Sequence, residues 1–388
     1  MRINERRCLK NLILFANMCA MRCLWKYVII LALWAAPAAA NMTVAVITPK
    51  AGVWAKQGAE LTAGAKKAAE EINANGGLLK QKIKILDIDD QCSDSIAVST
   101  AQMLTLMKDK KIALVIGPYC ANSFEAVAKT YADAKIFQII PTAVDYAQAK
   151  TVQKGLIKML GYTSQQAIDF FKYYNAHFAG EKVAIVSDIN NAQSSEIAQA
   201  VYDQFAKHGK TVVVQNYTYD MTQKDYEKLA KRIIKAGNKV VFLTGSAKQI
   251  RKTAEYLKER KADLAIFINK YQATDAYFEK LGELADGTYV LELRGKNNDP
   301  EFAETLVKLR LSGFETDGLA LYGYSALKLW EALVKKAGSF DYAKVSAKAN
   351  NGKIETDLGN HMFHNGAPKN NESYAVYLYQ NGHFSKVY

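Results

Sequence analysis

Two successive series of apolar runs, alternating with segments of helical period, restrict this chain of 388 residues to an α/β architecture. In the first series, segments 43–48 (TVAVIT), 83–89, 113–117 and 136–141 read as strands, and 58–75, 95–108 and 122–133 read as helices between them. The second series begins after Gly161. Strand candidates at 182–187, 211–217, 240–244 and 264–268 are interleaved with helices near 164–178, 195–207, 225–236 and 248–260. Strands separated by helical patterns form parallel sheets, because each helix carries the chain back to the same edge. From Thr288 the chain adds a strand (TYVLEL), a helix after Asp299-Pro300, a long helix over 317–336 and an alternating strand at 374–379 (YAVYLY), and then a short polar tail. No Pro-, Gly- or Ser-rich linker divides the halves, so short crossings between closely connected lobes are expected.

The two series start only after a leader. Residues 21–40 read MRCLWKYVIILALWAAPAAA, with Arg22 and Lys26 ahead of an apolar run and Ala38-Ala39-Ala40 behind it. This is the pattern of a secretory signal cleaved after Ala40. The run is too short for a hydrocarbon core of about 30 Å, which needs roughly 20 apolar residues. Residues 1–20 read as an upstream extension of the reading frame and are set aside from fold reasoning. No cysteine follows the apolar run at the cleavage point, so a lipid anchor is not expected. Cleavage leaves 348 residues, enough for two domains with substantial cores. They carry 45 Lys and Arg against 37 Asp and Glu, a net charge of +8. The lysines are spread along amphipathic helices such as FFKYYNAHFAG and YLKERK, as solvated faces require. With no recognisable module and no basic block of five or more, nucleic acid is not an expected partner.

Export gives meaning to the cysteines. Cys8, Cys19 and Cys23 lie in the leader, so Cys92 and Cys120 are the pair left to the exported chain. In an oxidising compartment they can close a loop worth about 3–4 kcal/mol by the chain-entropy model, and a structural disulfide is the first reading. A metal site would need more ligands at suitable spacing, and a catalytic thiol an unpaired cysteine. Nucleophile elbows, phosphate loops and dinucleotide fingerprints are missing from the sequence, so neither an enzyme nor a cofactor is expected. His361 and His364, with Asp357 upstream, have a spacing that presents two imidazoles, but their Gly/Asn-rich context favours surface histidines near a turn. Asp89-Asp90 at a strand end reads as loop capping ahead of acid/base chemistry.

VAVITPKAGVWAKQG (44–58), AAEEINANGGLLKQKIKILDIDDQC (68–92), ALVIGPYC (113–120) and FQIIPTAV (137–144) together resemble the amino half of the periplasmic branched-chain amino-acid-binding proteins. INANGG followed in order by DD-x-C and G-x-x-C carries most of that resemblance, which extends more weakly over nearly all of the exported chain. The resemblance implies a type I periplasmic binding protein: two doubly wound Rossmann-like lobes joined by a three-segment hinge. Lobe one would comprise 42–162 and 294–373, and lobe two 163–293 and 374–388. It also implies a Cys92–Cys120 disulfide, and a ligand held between the lobes near the carboxyl ends of the strands, where open α/β sheets bind. The expected function is that of the exported substrate-binding component of an ABC importer, delivering a small carboxylate-bearing metabolite to an inner-membrane permease. A neutral or branched-chain amino acid is the alternative ligand, and a periplasmic sensor the rival role. The mature protein is expected to be a monomer.

Site residues are expected at the same positions. Cys120-Ala121-Asn122-Ser123 leads into a helix whose free N–H groups and positive end suit a carboxylate. Ser123 offers either a ligand hydroxyl or an ordinary N-cap. Family members place a serine where Ala121 stands, but backbone donors need no particular side chain. Thr142, Ala143 and Val144 would face the same cleft. The family accepts a ligand ammonium with a threonine near Val144 and an acidic residue that aligns with Lys270. A lysine about 4 Å from an ammonium repels it by up to ~4 kcal/mol at an effective dielectric near 20. Lys270, with Arg294 near a hinge, therefore suits an acidic or carbonyl group. Trp54, Tyr119, Phe124 and Tyr271 offer either an aromatic wall or core and rim packing.

Overall fold

The computed structural model describes residues 41–107, 111–142, 152–160, 165–260, 263–269, 275–293, 303–316, 319–350, 352–356, 359–368 and 374–388. Its first sheet is wholly parallel, in the order β2 (Lys82–Ile88), β1 (Asn41–Ile47), β3 (Ile112–Ile116), β4 (Phe137–Ile140), β5 (Leu156–Lys158). Alternate residues of β1 serve opposite faces, as the two-residue strand period demands. Val44 and Val46 join the core that contains Leu61 and Leu327, whereas Ala45 and Ile47 join the core that contains Ala101 and Val127. Helices therefore cover both faces. α1 (Ala55–Ala74) lies on the first face, and α2 (Asp94–Leu106) and α3 (Ala121–Asp133) lie on the second.

After β5 the chain crosses to a second, seven-stranded sheet, entering it through α4 (Gln165–His177). That sheet runs β16 (His383–Lys386), β15 (Tyr374–Gln380), β10 (Thr288–Leu293), β9 (Ala265–Asn269), β8 (Val240–Leu243), β6 (Val183–Ser187), β7 (Val212–Asn216). β6 to β10 are parallel, and β15 and β16 are antiparallel additions at the edge. α5 (Ala192–Lys207) shares the core of α4, and α6 (Gln223–Lys235), α7 (Ala247–Glu259) and α8 (Asp275–Leu281) pack on the opposite face. Phe170 of α4 lies 5.5, 5.1 and 4.8 Å, ring centre to ring centre, from Phe205, Phe242 and Phe267.

Beyond β10 the chain returns to the first sheet. α9 (Ala303–Leu311), α10 (Ala320–Ala337), α11 (Tyr342–Ala349) and the hairpins β11 (Ile354–Thr356)–β12 (Gly359–His361) and β13 (Phe363–His364)–β14 (Ala367–Pro368) all put buried residues into the first face's core or beside it. A third crossing leads to β15. The polar tail expected after β15 is instead strand β16, turned by Asn381-Gly382 with φ of 51° and 79°. Two successive positive φ values give the tight turn whose twist matches paired strands. Asn365-Gly366, at 49° and 73°, turns β13 into β14 in the same way, so the loop-like stretch around His364 is a hairpin.

In both sheets the strand order reverses beside the first strand, between β1 and β3 in one and between β6 and β8 in the other. Connections leave in opposite directions there, opening a crevice at the carboxyl ends.

Candidate functional site

In the first sheet the crevice is bounded by the segments that leave β1 and β3. After β1, the short helical turn Gly52–Trp54 presents Trp54, and after β3 the segment Gly117–Cys120 leads into α3. The Trp54 and Tyr119 rings meet with centroids 6.1 Å apart at 50°. Trp54 is 39% exposed, so this aromatic pair borders solvent at the crevice. Phe124 faces the other way: it is fully buried with Ala128, Ile140 and Leu156, which makes it core.

The approach to α3 is held on three sides. The Tyr119 N–H donates to the Ile47 carbonyl at 3.2 Å, and the Gly117 N–H to the Ile139 carbonyl at 2.9 Å. The buried Gln138 amide donates to the Gly117 carbonyl at 3.0 Å, and the Thr142 hydroxyl to the Tyr119 carbonyl at 3.3 Å. Thr142 thus supports the site's backbone. The N-cap of α3 is Cys120, in extended backbone and without a capping side chain. The Ser123 N–H donates to the Cys120 carbonyl at 3.2 Å. The N–H groups of Ala121 and Asn122, ahead of it, precede the helix's own bonding pattern, and the helix dipole adds positive potential at that end. Ala121 and Asn122 supply this turn through their backbone. Ser123 is fully buried, and its hydroxyl donates to Asp94 Oδ1 at 3.0 Å in the first turn of α2.

Cys92 and Cys120 form a disulfide with Cα atoms 5.3 Å apart. It runs from the turn before α2 to the cap of α3, beside the Ser123–Asp94 hydrogen bond. Asp90, at the end of the same β2 turn, is buried, and that burial raises its pKa. Its Oδ1 accepts from the Cys92 N–H at 3.3 Å, while the buried Oδ2 has no hydrogen-bond partner among the described residues.

The matching crevice of the second sheet lies between the loops after β6 and β8. Gln249 of α7 donates to Asp188 Oδ2 at 3.0 Å and accepts from the Ser246 N–H at 2.7 Å, bolting one loop to the other. Ser246 caps α7 reciprocally. The sequence signal for this bolt is the S-x-x-Q capping box at 246–249. Gln138 has a fainter one, a lone amide within the apolar run FQII. Neither was among the expected site residues. Ala143, Val144, Lys270, Tyr271 and Arg294 lie outside the described residues.

The histidine pair shows no shared ligand geometry. His361 Nε2 is 3.1 Å from the Thr356 hydroxyl, and its ring lies nearly parallel to Phe363. Burial lowers its pKa to about 4. His364 instead stands beside Asn365, and Asp357 lies outside the described residues. Among the described residues no helix is long and apolar enough to cross a membrane.

The model of the periplasmic binding protein family matches residues 41–382. An amino acid binding protein of Pseudomonas aeruginosa is 27% identical over 325 residues, which cover 83% of this chain and 86% of that one. Among solved structures, the ABC transporter substrate-binding protein of Desulfitobacterium hafniense in complex with Leu is 18% identical at TM-score 0.72, covering 89% of this chain and 100% of its own. A solute binding protein of an ABC transporter from R. palustris in complex with benzoate is 16% identical at TM-score 0.68, covering 89% of this chain and 95% of its own. Matched by the family model over nearly all of its described length, and built as two open α/β sheets linked by three crossings, the chain belongs to the periplasmic binding protein family.

Proposed function

We propose that the protein is the exported solute-binding component of an ABC importer, cleaved after Ala40, and that it captures a small carboxylate-bearing metabolite between its lobes for an inner-membrane permease. Lobe one is 42–162 with 294–373, and lobe two is 163–293 with 374–388. The observation that carries the reading is the uncapped first turn of α3, fixed at the strand reversal of the first sheet next to the Trp54–Tyr119 pair. Backbone N–H groups and a positive helix end complement a carboxylate, and the two rings offer an apolar flank. In this reading Ala121 and Asn122 contribute their backbone N–H groups, and Ser123 contributes by holding that turn, through its N–H to the Cys120 carbonyl and its hydroxyl to Asp94. Ala143, Val144 and Tyr271 complete the lining, and Lys270 faces a second acidic or carbonyl group. A neutral amino acid is the second reading, favoured by the amino acid binding relative at 27% identity.

A thermal-shift screen of the mature protein against amino acids, keto acids, dicarboxylates and aromatic acids tests the first reading. A cognate compound at 100 times its Kd should stabilise the native state by ~2.7 kcal/mol. Stabilisation by no carboxylate would overturn the proposal. Lys270→Glu separates the two readings: it should weaken a keto acid and strengthen leucine, shifting the preference more than ten-fold, about 1.4 kcal/mol. Tight leucine binding by the wild type, unchanged in Lys270→Glu, would return the ligand to the amino acids.

A further inference from the structure

At the carboxyl ends of the second sheet, two neighbouring side chains are buried with their polar atoms unanswered. Thr244 and Asn269 are 0% and 1% exposed, and among the described residues Thr244 Oγ1, Asn269 Oδ1 and Asn269 Nδ2 have no hydrogen-bond partner. The β8–β9 register ends at Leu243 beside Ile268, so its next step sets Thr244 beside Asn269. The Thr244 N–H still bonds the Val186 carbonyl at 2.9 Å, which keeps this residue in line with the sheet. Phe242 and Phe267, two residues earlier on each strand, pack against Phe170 of α4. Side chains two apart share a face, so Thr244 and Asn269 lie on the α4 side, one step nearer the open end.

α4 enters β6 through a short turn and so runs antiparallel to the strands. Its first turn therefore stands at the level of the strands' carboxyl ends. Gln166, one helical turn before Phe170, is itself buried. Buried amides and hydroxyls are ordinarily paired, and an unpaired set at a strand-order reversal is the exception that asks for an occupant.

We propose that Thr244 and Asn269 form the second lobe's polar subsite and receive an oxygen function of the ligand: a carbonyl, a hydroxyl or a second carboxylate. The inference rests on the carboxylate reading above, in which the ligand carries a second oxygen function, and adds the two neutral side chains that receive it. The hydroxyl and the amide NH2 both donate to an acceptor oxygen. Two neutral groups do not neutralise an ammonium, and Asp188, on the loop after β6, is bonded to Gln249.

The test uses Thr244→Val and Asn269→Leu, which remove the polar atoms at nearly constant volume. Titration calorimetry is run with 4-methyl-2-oxopentanoate, 2-oxoglutarate, leucine and benzoate, and Tm is measured without ligand. The proposal expects each variant to match or exceed the wild-type Tm, because unpaired polar atoms have been removed. It expects the keto acid that binds the wild type to weaken at least ten-fold in each variant, and benzoate, which has no second oxygen function, to change less than three-fold. Unchanged keto-acid affinity overturns the subsite and leaves the carboxylate reading standing. So does an equal loss for benzoate, or a wild type that binds leucine or benzoate but neither keto acid. A Tm lowered by more than about 5 °C in both variants shows the atoms to be paired within the protein, and overturns the subsite as well. If none of the four compounds binds the wild type, the carboxylate reading falls and the subsite falls with it.

Discussion

Gly117 has φ of +110°, and a Cβ built on it would stand 2.4 Å from the Ile47 carbonyl oxygen, so the backbone that feeds α3 passes β1 where no side chain fits. Glycine alone meets both demands, close approach and positive φ. His361 shows the opposite economy, a titratable ring placed where its charge is unwelcome. Burial lowers its pKa to about 4, against an unfolded value near 6.5. Above pH 6.5 both states are neutral and the residue leaves stability unaffected. As pH falls from about 6.5 to about 4, the unfolded chain takes up the proton first, and native stability declines across that window. Below about pH 4 the loss is complete, on the order of 1–3 kcal/mol. His361→Gln keeps a partner for Thr356 and removes the titration. Urea midpoints at pH 7 and pH 4.5 should therefore lie closer together in the variant than in the wild type, and an equal separation would show that His361 does not contribute.

At the scale of elements, the first turns of α2 and α3 are joined by the Cys92–Cys120 disulfide and by the Ser123–Asp94 hydrogen bond. The two links work differently. The disulfide closes a loop of 28 residues and acts on the unfolded chain, where the chain-entropy model assigns it ~3–4 kcal/mol. The hydrogen bond acts on the native state, where a buried donor to a carboxylate contributes about 1–2 kcal/mol. Cys92→Ala with Cys120→Ala should cost about 3 kcal/mol in urea denaturation. Ser123→Ala should cost ~1 kcal/mol and weaken ligand binding further, since it loosens the turn that holds the carboxylate. Binding unchanged in Ser123→Ala would detach that link from the site. The signal-like leader and the two cysteines beyond it made the disulfide legible in the sequence, and helical or apolar period made most strands and helices so. β5 was not: LIK is three residues long, and its place is fixed by pairing with β4 and by the Gly366 carbonyl, which accepts from the Lys158 N–H. The Asn-Gly turns into β14 and β16 were present as dipeptides, but the runs that follow them are too short and polar to read as strands. In the site, the turn into α3 could be read from residues 120–123, whereas the bonds from Gln138 and Asp94 join positions 21 and 29 apart and have no local pattern.

For the whole molecule, the question is how α10, whose bonds to α1 span 253 and 259 positions of sequence, finds the first sheet. The two helices cross at glycines. A Cβ on Gly64 would stand 1.8 Å from the Ala320 carbonyl oxygen, and one on Gly323 would stand 1.9 Å from that of Leu61. Backbone lies against backbone there, with no side chain between. Polar contacts set the register on either side of the crossing: the Leu319 N–H donates to Glu60 at 2.9 Å, and the Tyr324 hydroxyl to Glu71 at 2.8 Å. This one contact makes the late part of the chain complete the first sheet's core, where Trp330 and Leu333 are buried with Leu61 and Ile72. Neither glycine is in a positive-φ conformation, so the constraint is space and not backbone geometry. In a free helix Gly→Ala would stabilise by up to about 1 kcal/mol through propensity. Here the added methyl meets a carbonyl that cannot rotate away, and overpacking of this kind costs roughly 1–3 kcal/mol or more. Gly64→Ala and Gly323→Ala should each destabilise by at least about 2 kcal/mol net. The double variant should cost less than the sum, because separating the helices for one methyl makes room for the other. Urea denaturation of the three variants measures all of this, and a Gly323→Ala protein as stable as the wild type would mean that α10 is held by its side chains and not by the crossing.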